Sequence, residues 1–211
     1  MERAPVGIVL KRLKKKFKKQ TAFSGSRMNA FQCLVGTVLS ARTKDANTEK
    51  ASSQLFSVYP TPEKLAYAPV KKIEKLIKPS GFYRVKAKHV KKLSQMLLEE
   101  YGGKVPQTME ELMKLPGVGR KVAGCVLVYA FRKPALPVDT HVHRISNRLG
   151  WVKTKTPEKT EMALMKSIPK KDWIGINNLL VLHGQNTCFP RNPNCKECVL
   201  NGICPSAFKA Q

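Results

Sequence analysis

Helical apolar spacing recurs along nearly the whole chain, and the alternating pattern of a half-buried strand is almost absent. Asn29, Thr61 and Thr108 precede their helices as N-caps, and Glu111 stands at capping-box spacing from Thr108. The predicted helices span residues 29–40, 43–59, 70–77, 85–101, 108–115, 157–167 and 173–184, with a short helix begun at Thr61 and two more within 115–149. This succession predicts an all-α fold.

A proline-bearing stretch at residues 134–137 separates the helical segments into two groups. We expect residues 25–135 to form a helix-bundle domain. Residues 1–24 are expected to join residues 136–211 in a second helical lobe. The sequence therefore predicts two helical lobes.

The N-terminal segment combines an apolar stripe with a run of lysines. Ile8, Leu10, Leu13 and Phe17 recur at helical spacing, which predicts a docked amphipathic helix with a solvated basic face. The segment has neither the apolar core nor the small-residue cleavage site of a secretory signal. We therefore expect a cytoplasmic or nucleoid-associated protein, or a nuclear or mitochondrial one in a eukaryote.

The charge balance restricts the class of partner. The chain has 39 Lys and Arg against 14 Asp and Glu, a formal net charge of +25. An excess of this size favours a polyanionic partner. The alternatives are a basic structural protein and a lysine-rich surface suited to high temperature, although such surfaces are usually balanced by glutamate. No apolar run approaches the about 18 residues of a membrane span, so we expect the partner to be nucleic acid and not a membrane. We also expect a monomer.

Four of the six cysteines lie close together near the C-terminus, whereas Cys33 and Cys125 are predicted to be buried in helices. The four have the spacing C-x6-C-x2-C-x5-C and are Cys188, Cys195, Cys198 and Cys204. Without a secretory signal, disulfides are a poor first interpretation. Four thiolates at this spacing can bind a structural zinc ion or a 4Fe–4S cluster, and the spacing alone does not select between them.

The stretch from Leu115 to Leu149 contains a Pro-Gly-Val-Gly turn that leads into an apolar helix. Gly117 and Gly119 flank Val118, and we expect both glycines to need permissive dihedral angles. The amides of such a turn and of the following helix start form an anion site that suits a backbone phosphate. A turn that only packs two helices together is the alternative.

Two ionisable residues follow that turn. Lys121 lies in the first turn of its helix among apolar neighbours, where the helix dipole and burial disfavour an ammonium group and favour a nucleophilic amine. The alternative is a lysine that reaches solvent or binds phosphate. Asp139 begins the second helix, where it can act as N-cap and also stabilise a developing positive charge.

Four segments together resemble the endonuclease III family of DNA repair glycosylases. LPGVGRKVAG is similar to the family's helix-hairpin-helix, and PVDTHVHRISNRLG to the aspartate segment that follows it. The cysteine spacing is similar to the family's 4Fe–4S loop, and VLSARTKD and SGFYRVKA resemble segments that line its DNA groove. The resemblance implies a 4Fe–4S cluster and a partner that is double-stranded DNA with damaged bases or abasic sites. It also implies a bifunctional N-glycosylase and abasic-site β-lyase that excises oxidised pyrimidines in base excision repair.

The resemblance also implies roles for individual residues. Lys121 matches the family's Schiff-base lysine, and Asp139 matches the aspartate that assists cleavage of the glycosidic bond. Arg42 and Phe82 match two loops that fill the gap left by an extruded base, although the family often has glutamine and leucine at these positions.

Phe82 could instead pack in the core, and Arg42 could bind a phosphate. Ser40 and His141 are expected to contact the sugar or the lesion.

Two alternatives to the bifunctional enzyme remain at this point. A mismatch-directed adenine or thymine glycosylase belongs to the same superfamily but lacks a lysine at the position of Lys121. A non-catalytic iron–sulfur DNA-binding protein would keep the basic surface and the hairpin without a need for both Lys121 and Asp139.

Overall fold

The computed structural model describes residues 3–18 and 28–209, and all regular structure in these residues is helical. The predicted all-α fold is therefore confirmed. Two short 3-10 turns lie at Lys170–Asp172 and Asn201–Ile203. The α-helices are α1 Val6–Lys16, α2 Ala30–Ser40, α3 Asp45–Val58, α4 Pro62–Ala66, α5 Val70–Leu76, α6 Tyr83–Tyr101, α7 Met109–Lys114, α8 Arg120–Phe131, α9 Thr140–Arg148, α10 Pro157–Ser167 and α11 Trp173–Asn186.

The predicted N-caps are present at the starts of α2, α4 and α7. Asn29 and Gln32 form a reciprocal capping box, in which each side chain accepts a hydrogen bond from the other's amide at 2.9 and 3.4 Å. Thr108 caps α7 by accepting from the Glu111 amide at 3.3 Å. The Glu111 carboxylate accepts from the Thr108 hydroxyl at 2.6 Å, so it binds the cap side chain where a capping box would use the cap amide.

Two helix starts differ from the sequence prediction. The helix predicted from Thr43 begins at Asp45. The helix predicted from Val85 begins two residues earlier, at Tyr83, because Phe82 takes a left-handed conformation (φ 58°) and serves as the N-cap. Left-handed backbone at a non-glycine residue has no simple sequence signal, so the earlier start was not predictable from composition.

The chain forms two compact units, Arg27–Lys133 and a unit of Met1–Ser26 with Pro134–Gln211. The predicted boundary at residues 24 and 25 lies outside the described residues. In the Arg27–Lys133 unit, α2 packs against α3, α6 and α8, α4 packs against α6, and α7 packs against α8. Its core consists of fully buried aliphatic side chains, which include Leu34, Leu39, Leu55, Leu65, Ile73, Ile77, Leu93, Leu97 and Leu112.

In the other unit, α11 packs against α9 and α1, and α9 also packs against α10. The tryptophan indole groups bond to main-chain carbonyls: Trp151 Nε1 donates to Ala4 at 2.8 Å, and Trp173 Nε1 donates to Ile168 at 2.9 Å. The core of this unit includes Leu136, Val142, Ile145, Leu149, Leu164, Ile176, Leu179 and Leu180. Buried indoles with satisfied N–H groups fix the chain entry before α1 and the segment before α11.

The N-terminal helix α1 docks through a slightly different stripe from the predicted one. Leu10, Leu13 and Phe17 are buried as expected, together with Val9, whereas Ile8 is 46% exposed. Ile8 was therefore wrongly placed on the packed face, because positions 9, 10, 13 and 17 form one stripe at a period of 3.6 residues.

The basic face of α1 is only partly solvated. Arg12 Nη1 donates to the Val199 carbonyl at 2.9 Å, and Lys16 Nζ donates to the Thr187 hydroxyl at 2.9 Å. These two bonds attach the cysteine-bearing segment to α1.

Cys33 and Cys125 are buried, as the sequence predicts. Burial raises the pKa of the Cys33 thiol, and a hydrogen bond with Thr37 opposes this shift. The Cys33 thiol therefore behaves as a small apolar group.

Across residues 3–18 and 28–209, no helix is both long and apolar enough to span a membrane.

Candidate active site and cysteine segment

The turn between α7 and α8 is determined by one glycine. Gly117 has φ 78°, which L side chains rarely adopt. A Cβ atom at this position would lie 2.9 Å from Nδ1 and 3.1 Å from Cβ of His89, which packs beneath the turn from α6. Gly117 is therefore required both by its backbone angle and by the close approach of His89.

Gly119 is not required in the same way, and this part of the sequence prediction is wrong. Its φ of −90° and ψ of 175° describe extended backbone that any residue adopts. A Cβ atom there would meet nothing within 4 Å. Gly119 is the N-cap of α8, so the open space beside it lies at the positive end of a helix dipole.

The amides of the turn are not equivalent. Val118 is buried, and its N–H donates to the Leu115 carbonyl at 3.1 Å, so this amide is used within the turn. The first amides of a helix have no intrahelical acceptor. A phosphate at this turn would therefore bind the start of α8 and not the Val118 amide.

Lys121 is the second residue of α8 and is half-buried. The residues that follow it, Val122, Ala123 and Val126, are buried in the core of the Arg27–Lys133 unit. Lys121 thus lies at the start of a helix whose following residues are buried.

Asp139 is the N-cap of α9, and its Oδ1 accepts from the Val142 amide at 2.8 Å. The predicted capping role is confirmed. The residue is half-buried. The cap uses one carboxylate oxygen and holds the carboxylate in a fixed position at the helix start.

His141 and Arg144 lie one turn apart on α9. Arg144 Nη2 lies 3.2 Å from His141 Nδ1 and donates to the Cys188 carbonyl at 2.8 Å. Burial lowers the pKa of the Arg144 guanidinium, while the charges of Cys188 and Asp139 act in the opposite direction. His141 is half-buried and is held beside this cation, which connects α9 to the first cysteine of the segment.

The two segments predicted to fill an extruded-base gap are both at the surface. Arg42 is exposed with φ 52°, and Phe82 is 62% exposed with φ 58°. The Arg42 guanidinium carbon lies 5.8 Å from the centroid of the Phe82 ring, in cation–π geometry. The alternative that Phe82 packs in the core is therefore wrong. Ser40, at the end of α2, donates its hydroxyl to the Thr37 carbonyl at 2.8 Å.

The four C-terminal cysteines line one cavity, together with Arg148 and His183. Cys188, Cys195, Cys198 and Cys204 are all free thiols. Cys188 Sγ accepts from Arg148 Nη1 at 3.2 Å, and Cys198 Sγ accepts from the Leu200 amide at 3.4 Å. These donors suit sulfur atoms that carry negative charge.

Two of these thiols favour the protonated form. Burial raises the pKa of Cys198 and of Cys204, so a bound cation is needed to keep both as thiolates. In the part of the chain that the structure describes, no three His, Cys, Asp or Glu side chains are arranged to hold a single metal ion.

Two basic residues were missed by the sequence analysis. Lys86 is 6% exposed although it lies on a strongly basic helix. The signal was its position, since residues 86, 90, 93 and 97 form one apolar stripe of α6. Arg148 bonds to the Cys188 thiol and to the carbonyls of Phe189 and Pro190, and no local pattern indicates those partners.

Comparison with known proteins identifies the family. Residues 35–170 match the HhH-GPD superfamily of base excision DNA repair proteins. The chain is 58% identical to endonuclease III of Thermotoga maritima over 174 residues, which is 82% of each protein. It belongs to the endonuclease III family. The chain is also 42% identical to endonuclease III of Bacillus subtilis over 182 residues, 86% of this chain and 83% of that protein.

Solved structures that are similar to this chain include two complexes of endonuclease III with DNA. A trapped endonuclease III–DNA covalent intermediate, the estranged-adenine complex, has a TM-score of 0.88 at 38% identity and covers 97% of this chain and 96% of its own. A non-covalent endonuclease III–DNA complex has a TM-score of 0.87 at 37% identity, with 97% and 95% covered. A thermostable thymine-DNA glycosylase has a TM-score of 0.76 at 25% identity, with 94% and 98% covered.

Membership of the family establishes the activity. The chain is a base excision repair enzyme with DNA glycosylase and lyase activity, and it binds DNA. The alternative of a non-catalytic DNA-binding protein is therefore wrong. The predicted family and class of enzyme are confirmed.

The two hairpin glycines can be distinguished by substitution with alanine. Gly117→Ala should lower the free energy of unfolding by about 1–3 kcal/mol, because the left-handed backbone and His89 both oppose a Cβ atom. Gly119→Ala should change it by less than about 0.5 kcal/mol, because its Cβ enters open space. Chemical denaturation followed by circular dichroism measures both. Equal losses for the two variants would contradict the assignment.

Proposed function

We propose that this enzyme excises oxidised pyrimidines from double-stranded DNA, with Lys121 as the amine nucleophile and Asp139 as the assisting carboxylate. The observation that carries the proposal is the position of Lys121, half-buried in the first turn of α8 and directly after the turn that Gly117 makes possible. A phosphate bound at that helix start would fix the DNA backbone beside the amine. The expected partner is damaged or abasic duplex DNA, bound by a monomer in the compartment that contains the DNA.

The chemistry assigned to Lys121 requires its neutral amine. The Nζ lone pair forms a bond to C1′ of the damaged nucleotide, and the bond between C1′ and the base breaks. The base leaves with the bonding electrons and takes up a proton. Opening of the sugar ring gives an imine between Lys121 and C1′. Loss of a 2′ proton then expels the 3′ phosphate, and water hydrolyses the imine to regenerate the lysine.

Asp139 would act on the same sugar through its charge and its basicity. Positive charge develops at C1′ as the base leaves, and a carboxylate fixed by its own helix stabilises that charge without reorganisation. One oxygen of Asp139 serves the cap. The other oxygen can accept protons in the steps that form and resolve the imine.

Base extrusion leaves a gap in the duplex, which the surface pair Arg42 and Phe82 would fill. The phenyl ring can stack on neighbouring bases, and the guanidinium can donate hydrogen bonds to the orphaned base. Their mutual distance of 5.8 Å supports a joint role. Ser40 and His141 would contact the sugar or the lesion, and for Ser40 the hydroxyl oxygen keeps an acceptor lone pair beside its bond to Thr37.

The four C-terminal cysteines would hold a 4Fe–4S cluster. When bound, such a cluster supplies four iron–thiolate bonds that fix the fold of the segment around it. The chain itself contributes Arg148, which donates to Cys188 Sγ and to two carbonyls of the same loop. The segment would then present its own cations, Arg191 and Lys196, to DNA phosphates.

Substitution of Lys121 tests the nucleophile. Lys121→Gln should abolish the covalent complex that borohydride traps on a duplex with an abasic site, because glutamine forms no imine. Lys114→Gln is the matched control, since it removes one charge from an exposed lysine next to the same hairpin. Trapping that survives in Lys121→Gln would contradict the assignment.

Substitution of Asp139 separates its chemical role from its cap. Asn caps helices about as well as Asp, so Asp139→Asn should unfold at nearly the same denaturant concentration as the wild type. Base release from a thymine-glycol duplex should nevertheless fall roughly 100-fold, because the charge is lost. Single-turnover kinetics measure this rate. If Asp139→Asn releases the base at the wild-type rate, Asp139 caps its helix and has no role in the chemistry.

Metal analysis and absorption of the purified protein test the cluster. We expect about four iron atoms per chain and a visible iron–sulfur absorption band. Cys198→Ser should lose both, whereas Cys125→Ser, which removes a buried thiol in α8, should retain both. A colourless protein with one zinc ion per chain would overturn the iron–sulfur assignment.

A further inference from the structure

Among the lysines and arginines in the part of the chain that the structure describes, Lys86 is the most deeply buried, at 6% exposure. Its Nζ lies 2.7 Å from the Leu39 carbonyl and 2.6 Å from the Ala41 carbonyl. It also lies 2.9 Å from both the Thr43 and the Ser80 hydroxyl oxygens. None of these partners is a carboxylate, so a buried cation is held by neutral oxygens alone.

The Lys86 ammonium has three N–H donors and four acceptors within reach, so each donor can be satisfied. The Ser80 hydroxyl donates to the Leu39 carbonyl at 2.9 Å, and the Thr43 hydroxyl donates to the Ala41 carbonyl at 3.2 Å. Each hydroxyl oxygen can therefore accept from the ammonium while its proton goes to a carbonyl. The carbonyls belong to the end of α2, where the helix dipole favours a cation. Burial still lowers the pKa of Lys86 to about 8.

The four oxygens come from two turns that touch each other. One turn, residues 39–43, includes Arg42, and the other, residues 80–82, includes Phe82. The Gly81 amide donates to the Thr43 hydroxyl at 3.0 Å, and a Cβ on Gly81 would lie 2.8 Å from the Arg42 carbonyl oxygen. The Lys86 ammonium bonds to both turns at this contact.

Each turn contains one residue in an unfavourable backbone conformation. Arg42 and Phe82 both have positive φ angles, 52° and 58°, in the left-handed region that non-glycine residues avoid. Such conformations persist where the surrounding structure imposes them. A buried charge is also costly to maintain. The strained backbone and the buried charge occur at one place. Both are explained if the bonds of Lys86 to the two turns fix the exposed side chains of Arg42 and Phe82.

We propose that Lys86 is a positioning residue that clamps residues 39–43 to residues 80–82 and thereby holds Arg42 and Phe82 as one preformed unit for the gap in the duplex. The inference rests on the proposed gap-filling role of Arg42 and Phe82. It assigns to Lys86 no contact with the DNA or with the reacting atoms.

The test compares Lys86→Met with Lys88→Met, which removes a charge from an exposed lysine of the same helix. Base release from a thymine-glycol duplex should fall roughly tenfold or more in Lys86→Met, because misplaced groups fill the gap poorly. Borohydride trapping on a single-stranded abasic oligonucleotide has no gap to fill and should stay within about twofold of the control. Equal behaviour of the two variants on the duplex would overturn the proposal.

A background without the gap-filling side chains distinguishes positioning from general stability. In Arg42→Ala/Phe82→Ala, adding Lys86→Met should change duplex base release by less than about twofold, because residues that act as one unit are not additive. Parallel losses on duplex and single strand, or a further tenfold loss in this background, would show a purely structural role and overturn the proposal.

A second variant covers the case in which Lys86→Met does not fold. Gly81→Ala leaves Lys86 intact and pushes the two turns apart, since its Cβ would meet the Arg42 carbonyl. It should show the same selective loss on the duplex, and an unchanged rate would count against the clamp.

Fluorescence of 2-aminopurine opposite the lesion follows gap filling without any Lys121 chemistry. A result that disproves the role of Lys86 is thus distinguishable from a result that disproves Lys121 as the nucleophile.

Discussion

Hydrogen bonds from basic side chains to main-chain carbonyl groups hold together the loops on which this protein depends. Lys86 binds the end of α2, Arg144 and Arg148 bind the chain around Cys188, and Arg12 binds the carbonyl of Val199. Lys71 and Glu74 form a salt bridge within α5. Because carbonyl groups have no net charge, they satisfy the N–H donors of these lysine and arginine side chains and leave their positive charge uncompensated. A protein with a net charge of +25 thus fixes its loops without cancelling the field that attracts DNA.

This constraint connects the site residues of each unit to its core. In the Arg27–Lys133 unit, the core helix α6 supplies His89 beneath the hairpin turn and Lys86 beneath the Arg42 and Phe82 turns. One helix therefore supports both surfaces that the proposed function brings to the duplex. In the other unit, α9 begins with the capping carboxylate of Asp139 and ends with Arg148 at the cysteine loop. The carboxylate proposed for the chemistry and the arginine proposed to support the cluster thus lie at the two ends of one helix.

Several features were predictable because their causes are local. The caps at Asn29, Thr108 and Asp139 depend on a bond to an amide three residues ahead, so a short sequence window contains both partners. Apolar spacing likewise indicated the helices and the docked N-terminal segment. Predictions were wrong where the conformation of a residue depends on backbone angles or on packing. Gly119 has extended backbone and does not need permissive dihedral angles, and Ile8 lies outside the buried stripe of its helix. Neither is specified by residue type.

The sequence by itself determined the helical fold, the family and the identity of the residues proposed for chemistry. It could do so because each motif and each helix cap depends on residues that lie close together in the chain. Only the tertiary structure decided that Phe82 is exposed beside Arg42 and that Lys86 is buried among oxygens. The two carbonyls that Lys86 binds lie 47 and 45 residues away in the chain. A lysine among many lysines acquires a specific role only when the folded chain brings such distant acceptors together and excludes water from them.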